Sequence, residues 1–571
     1  MRILLSLCLL WLLAPRLHAA IPPDQRKDDL RQLASLYAKT YGPYEWKKQL
    51  LGFDPLDLKP WFERALAAKT DMEYLDVLVQ YIASFDDGHL SIRFPYVFDA
   101  RLGFVTDVYD SRVVIDSIDR FQLPAAAFPF EVGDELVSLD GITAEDWLQR
   151  LSPYRQSANR RSTRRLAAEL ITIRRQAIIP WAAQIGDSAT VVIRRQSGEE
   201  ETYEIPWDKF GDPVEEIGPV PSPVERVLRA MHAGGEGFAG DDATPVWLKP
   251  LEPWTNVRTS FGPVEGVRGY GSRVPYYSLP ANFQTRLGQS SAHAFYSGVY
   301  ETGGLRLGFL RIPSFSPSIG TASALQQLDV EIAFFNANTD ALVVDVTRNP
   351  GGSVLFVNEI ARRLIPYRFR SLGFRLRATA NFVASFNSSL ALARVFGLPD
   401  DVVEAQKQSF EEVLRAFREE RGLTAPLPLT SAFLELDPAT TPAGAPLAYS
   451  KPLIMLIDEF SASGGDMLPA TLQDARRGPL VGYRTMGLGG SVVDFSGPSY
   501  TESSVRSTVS LIQRNQDVVT PEYPAAPYIE NIGVRPDVEL DYMSRENLRE
   551  AGRPFVNWFT EVLLKHARGE L

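Results

Sequence analysis

The residues best suited to chemistry in this chain are a serine among small residues and a histidine beside a glycine turn. Ser463 lies in Ser461-Ala-Ser-Gly-Gly-Asp466, between the apolar run Leu453 to Ile457 and an apolar-periodic segment that begins near Gly464. That order predicts a buried strand, a tight turn and a helix, with Ser463 just before the helix N-terminus. Small neighbours let a substrate carbonyl approach, and free helix N–H groups point at developing negative charge. This is the logic of a nucleophilic serine on a strand–turn–helix elbow. Taken alone, the pattern also fits an N-cap serine in a glycine-rich turn. His89 stands in Asp86-Asp-Gly-His-Leu-Ser, where Gly88 ends a helical pattern and alternation begins. Taken singly it fits a capping or hydrogen-bonding residue. Two further phrases carry turn chemistry, Asp345-Val-Thr-Arg-Asn-Pro-Gly-Gly352 and Glu530-Asn-Ile-Gly-Val-Arg-Pro-Asp537.

The elements that must hold these residues can be read from the pattern. Hydrophobic residues at 45% and charged residues at 23% of 571 describe an ordinary globular chain with core enough for several units. The net charge of −11 disfavours nucleic acid as a partner. Arg2 and the apolar run Ile3 to Ala14, followed by Leu17-His-Ala-Ala20, predict a secretory signal peptide over residues 1–19 and an exported protein, periplasmic or secreted. Its loss would remove Arg2 and Arg16, taking the charge from −11 to −13, and also the only cysteine, Cys8. A thiol-free mature chain excludes disulfides, zinc–thiolate sites and a cysteine nucleophile. No later stretch is long and apolar enough for an integral membrane segment.

Residues 20–97 read as an N-terminal helical region, with Leu30, Leu33, Leu36 and Tyr37 on one face. Short strands and a hairpin at Ser197-Gly198 follow over 98–207. An arginine-rich insertion over 149–178 reads as a solvated amphipathic helix. Residues 208–303 show little periodicity and read as an irregular linker or insertion. From 304 to 547 strands alternate with helices, which predicts a mostly parallel sheet covered on both faces, and 548–571 is a C-terminal helix. In such sheets active groups gather outside the carboxyl ends of the strands, where both the Pro-Gly-Gly turn and Ser463 fall.

Val132-Gly-Asp-Glu-Leu-Val-Ser-Leu-Asp-Gly141, with Leu102-Gly-Phe upstream, resembles a PDZ domain. The four motifs in order, with that unit after the first, resemble the C-terminal processing peptidases, or tail-specific proteases, and their tricorn-type relatives. The resemblance implies an α/β fold with a crotonase/Clp-protease-like core. It also implies a serine-type peptidase that needs neither cofactor nor metal. Its partner would be a peptide or unfolded protein, held by strand addition to the PDZ-like unit, with its C-terminus one point of engagement the resemblance allows. Ser463 matches the family nucleophile, whose hydroxyl needs a base. The processing branch uses a lysine in a phrase that here reads Gly482-Tyr-Arg-Thr-Met-Gly-Leu488-Gly, so leucine holds the lysine position. The tricorn-type branch uses a histidine, matched by His89, whose imidazole titrates near neutrality. In that branch a glutamate, matched by Glu530, orders the histidine through a serine, but Gly88 stands at the serine position. Glu530 then acts directly, through water, or only as an anchor of the last strand. The oxyanion hole would combine the Gly464 N–H with that of Gly351 or Gly352. Ser461 reads as a turn residue. A catalytically silent binding module, or an esterase or amidase using the same serine, are the other functions this framework allows.

Overall fold

The structure, a computed structural model, describes residues 21–217 and 270–571; the expected signal peptide lies outside them. The chain is built around a seven-stranded sheet ordered 284–287, 296–302, 305–311, 341–345, 453–457, 480–482 and 538–539. The first three strands pair antiparallel and every later pairing is parallel. The run Leu453–Ile457 is apolar throughout because both faces are covered. Leu453, Met455 and Ile457 pack with Leu328, Phe356 and Leu468 of the helices on one side. Ile454 and Leu456 pack with Phe555, Phe559 and Leu563 of the C-terminal helix Arg553–Ala567 on the other. The sheet starts earlier than residue 304. Gln284–Leu287 and Tyr296–Thr302 are strands inside the stretch read as irregular: the first is a short, mostly polar edge strand and the second is buried on both faces from Ser297 to Tyr300, so neither shows an apolar–polar alternation.

Residues 104–206 form a second antiparallel sheet, ordered 104–109, 112–118, 135–139, 188–194 and 200–206. The four N-terminal helices, Pro23–Thr40, Tyr44–Leu51, Lys59–Ala67 and Asp71–Ala83, share one continuous core with this sheet. In that core Tyr37, Leu75, Tyr81 and Phe85 belong to the same cluster as Phe104, Val113 and Leu136. Two sequence regions are thus one packed body.

The arginine-rich insertion differs from its expectation. The helix Arg160–Ile171 is not a solvated one: Arg165 is buried between Asp107 of the sheet (2.7 Å) and Glu459 of the turn after the 453–457 strand (2.9 Å). Arg174 is buried beneath Trp147, Trp181 and Trp207. Carboxylates and aromatic faces take the place of water around these guanidiniums.

One small pairing decides the geometry of the site. Ser91–Arg93 pairs antiparallel with Ser504–Thr508, Ser91 opposite Arg506 and Arg93 opposite Ser504. This register carries the 86–89 turn from the N-terminal body onto the catalytic half of the chain.

Candidate active site

The strand Leu453–Ile457 ends in the turn 458–463, and the helix Gly464–Asp474 follows at once. Ser463 sits at φ 54°, ψ −109°, a left-handed backbone conformation rare for a residue with a side chain. The surroundings hold it there. Its N–H donates to Asp466 Oδ2 (2.7 Å), and the same carboxylate accepts from Thr485 Oγ1, Gly487 N (2.9 Å) and Leu488 N (3.1 Å). Burial pushes the Asp466 carboxyl up to about 7, while these donors pull it back toward the ionised form. Ser461 is a turn residue, as its sequence position suggests: its hydroxyl donates to Val346 O (2.9 Å) and pairs with Asp458.

The Pro-Gly-Gly turn lies against the elbow. A Cβ added to Gly351, at φ 96°, would fall 2.8 Å from Ser463 Cβ and 2.7 Å from Gly464 N, so only glycine lets the two turns meet. One added to Gly464 would lie 3.2 Å from Gly352 N, which places the two amides side by side. The Gly351 N–H is already spent on Asn349 Oδ1 (2.8 Å). Gly352 bridges Phe315 through its neighbours, with Phe315 N donating to Gly351 O and Ser353 N to Phe315 O. A parallel bridge of that kind turns the Gly352 N–H away from Phe315. The pair left to face an oxyanion is therefore Gly464 and Gly352, where the sequence left Gly351 and Gly352 unseparated.

His89 is buried, with 1% of its surface exposed. Its backbone N–H donates to Asp87 Oδ1 (2.8 Å), whose other oxygen accepts from Tyr41 OH (2.9 Å) and Thr508 Oγ1 (2.8 Å). Neither ring nitrogen makes a hydrogen bond, so none joins His89 to Ser463. Burial pushes the imidazole down to about 4, against the pull of Asp87 and with the help of Arg506 and Lys47, so the ring is neutral at pH 7.

A ring nitrogen of His89, an Asp87 oxygen and a Glu530 oxygen all lie within 4.8 Å of one another. Glu530 is fully buried; Gly489 N donates to its Oε2 (2.9 Å), and Lys47 Nζ stands 2.5 Å from its Oε1. Burial and the Asp87 carboxylate push Glu530 up to about 8, against Lys47 and Gly489. Protein donors already engage both carboxylates: His89 N, Tyr41 OH and Thr508 Oγ1 on Asp87, and Gly489 N on Glu530. Gly88 is where Leu488 matters: a Cβ on Gly88 would lie 2.9 Å from Leu488 Cδ2. The side chain at the old lysine position fills the space a serine at 88 would need.

Three residues here had no role in the sequence reading. Asp87 and Asp466 stand inside the motifs and were legible as acids beside a histidine and a serine. Lys47 lies in Tyr44-Glu-Trp-Lys-Lys-Gln, a phrase without any such signal.

Residues 306–540 match the model of peptidase family S41, and residues 99–217 match a PDZ domain. A protein of Chlamydia trachomatis is 26% identical over 562 residues, covering 91% of this chain and 89% of its own length. The chloroplastic C-terminal processing peptidase of Tetradesmus obliquus is 36% identical over 100 residues, 17% of this chain and 19% of its own. Among solved structures, mature CPAF complexed with lactacystin superposes with a TM-score of 0.73 at 22% identity, covering 95% of this chain and 99% of that one. At that identity the likeness establishes the fold.

Proposed function

We propose, on the match of residues 306–540 to peptidase family S41 and of residues 99–217 to a PDZ domain, that the chain is an exported serine endopeptidase of the tail-specific kind working through an acyl-enzyme on Ser463, with His89 as general base. The observation that carries this reading is the elbow itself. Ser463 holds the N-cap position of the helix Gly464–Asp474, but at φ 54° and against two glycine amides rather than in the extended backbone an N-cap serine ordinarily takes.

In the reaction, neutral His89 takes the Ser463 proton as Oγ attacks the scissile carbonyl. The N–H groups of Gly464 and Gly352 receive the tetrahedral oxygen. The imidazolium, with Glu530 and Asp87 beside it, then gives its proton to the leaving amine. Water, deprotonated by the same imidazole, releases the acyl group. Closure on substrate brings His89 and Ser463 into hydrogen-bond reach.

The PDZ domain supplies the peptide. Phe104–Tyr109 is an edge strand of its sheet, the place for strand addition. The helix Arg160–Ile171 now rests on that strand, with Thr106 Oγ1 donating to Ala168 O (2.7 Å) and Arg165 on Asp107. A peptide, through its C-terminus, would have to part these contacts.

The test is a fluorophosphonate probe on the exported form, found by sequencing the N-terminus of secreted material. Labelling should vanish in Ser463→Ala and fall sharply in His89→Ala. Absence of labelling in a well-folded wild type would turn the reading toward a silent binding module, and cleavage of simple esters but not unstructured peptides would turn it toward an esterase.

A further inference from the structure

Lys47 lies on the helix Tyr44–Leu51, 484 residues before the asparagine it bonds. Its neighbour Lys48 is 54% exposed, as lysines generally are, whereas the Lys47 side chain is 0% exposed. Burying an ammonium is costly unless every proton finds an acceptor. Here Asn531 Oδ1 at 2.7 Å and Asp86 O at 2.6 Å accept hydrogen bonds from it, and Glu530 stands as its counter-ion, with Oε1 at 2.5 Å. The neighbouring Trp46 Nε1 donates to Glu530 O and Asn531 Oδ1, both at 3.2 Å. The helix is therefore fitted to the 530–531 turn, and that turn is fitted to the 86–89 turn by Asn531 Nδ2 on Asp86 O (3.0 Å). All three partners of Lys47 belong to one or other of the two turns that flank the histidine.

We propose that Lys47 is a positioning residue of the active site, whose ammonium favours the ionised form of Glu530 beside His89. The proposal rests on the serine-peptidase reading above. When His89 takes the Ser463 proton, the ring becomes a cation in a buried site, and Glu530 stabilises that cation only while it is itself ionised. Lys47 neither gives nor takes a proton in the cycle. The charged and titratable groups facing Glu530 are Lys47 from its helix, Tyr41 just before that helix, and Asp87 and His89 from their turn; Asp86 bears on Lys47 and Arg506 on His89. Arg484 reaches Asn531 O (3.4 Å) from the loop after the 480–482 strand. Among these, Lys47 alone stands as a counter-ion directly on the Glu530 carboxylate. It brings a lysine back to the catalytic centre from a different part of the chain, after Leu488 has removed the one expected there, and in a different role.

The test compares kcat/KM for a fluorogenic unstructured peptide across pH 5–10 in wild type, Lys47→Met, Glu530→Gln and the double variant, with Ser463→Ala as control. The limb in wild type that follows Glu530 ionisation should move about 1–3 pH units to the alkaline side in Lys47→Met. It should be absent in Glu530→Gln, and the double variant should match Glu530→Gln in rate and profile. A Lys47→Met enzyme that is slower by the same factor at every pH, or a double variant slower than Glu530→Gln, overturns the proposal. Should Lys47→Met fail to fold with Glu530 left unpaired, the double variant carries no uncompensated charge and decides alone. Activity retained in Ser463→Ala would instead refute the nucleophile, a separate failure from that of Lys47.

Discussion

Ser463 combines a disfavoured backbone conformation with a carboxylate, Asp466, devoted to keeping it there. Asp466 bonds the elbow and the 485–488 loop at once, so it sets the angle between the nucleophile and the loop that packs on Gly88. Asp466→Ala should leave the serine present but misplaced, and a displacement of that size costs on the order of 10²-fold in kcat/KM. Fluorophosphonate labelling rates would slow in parallel if the effect is on the nucleophile. The buried histidine makes a separate prediction about stability. Its folded value of about 4 lies below the ordinary 6.5, so the neutral ring is favoured by folding. The stability tied to it is fully present above pH 6.5 and lost as pH falls toward 4, in all about 3 kcal/mol. Chemical denaturation of wild type and His89→Gln between those two pH values should show a wild-type loss larger by that amount. Equal slopes would mean that the ring is not shielded from solvent as the structure has it.

At the scale of elements, two contacts between distant segments shape the site. The first is the packing of Leu488 on Gly88. A serine at 88 alone would drive its Cβ into Leu488; Gly88→Ser combined with Leu488→Ala relieves that clash and leaves the 3.1 Å approach to Ser157 Cα. The single change should lower activity by overpacking, which typically costs about 1–3 kcal/mol of stability. The double change should recover both in part, measured by melting temperature and peptide turnover. The second contact is Arg165, which joins the PDZ domain's Asp107 to Glu459, four residues before the nucleophile. Arg165→Ala would take the guanidinium from the buried Asp107 while Glu459 keeps Arg161, a loss of about 3–5 kcal/mol in unfolding free energy. Arg165→Lys would keep the charge but lose the fork that reaches both. The sequence showed this helix only as a row of arginines, because whether an arginine meets water or a buried acid depends on partners far along the chain. The motifs beside it were legible for the opposite reason. The strand, turn and helix around Ser463 are local, and the run Leu453–Ile457 and the helix from Gly464 stand where periodicity placed them.

Across the whole molecule, the active-site residues are drawn from segments that no local pattern connects. Ser463 and the glycine turn belong to the parallel sheet, and their meeting was foreseeable, since both follow strand carboxyl ends. His89 and Lys47 come from the N-terminal body, and the Ser91–Arg93 pairing with Ser504–Thr508 is what delivers them. That pairing involves three residues a side, too few to announce itself in a sequence. The choice between Gly351 and Gly352 was hidden too, since it turns on the direction of one amide. The same topology makes a prediction about truncation. The N-terminal helices share their core with the PDZ sheet rather than with the catalytic sheet, so the catalytic half, residues 270–571, retains its own two-faced core without them. Expressed alone, it would keep Ser463, Gly464 and Gly352 but leave Glu530 with neither Lys47 nor His89. Such a fragment should react with a fluorophosphonate on the order of 10³-fold more slowly than the full chain, the margin that a general base contributes. Adding residues 21–217 in trans should restore the rate only if Ser91–Arg93 can still pair. Arg93→Pro, at the end of that strand, should weaken the pairing, because proline fixes φ and has no N–H to offer. Rescue by the wild-type segment together with reduced rescue by the proline variant would establish that a three-residue strand pairing assembles the catalytic centre, and equal rescue by both would refute it.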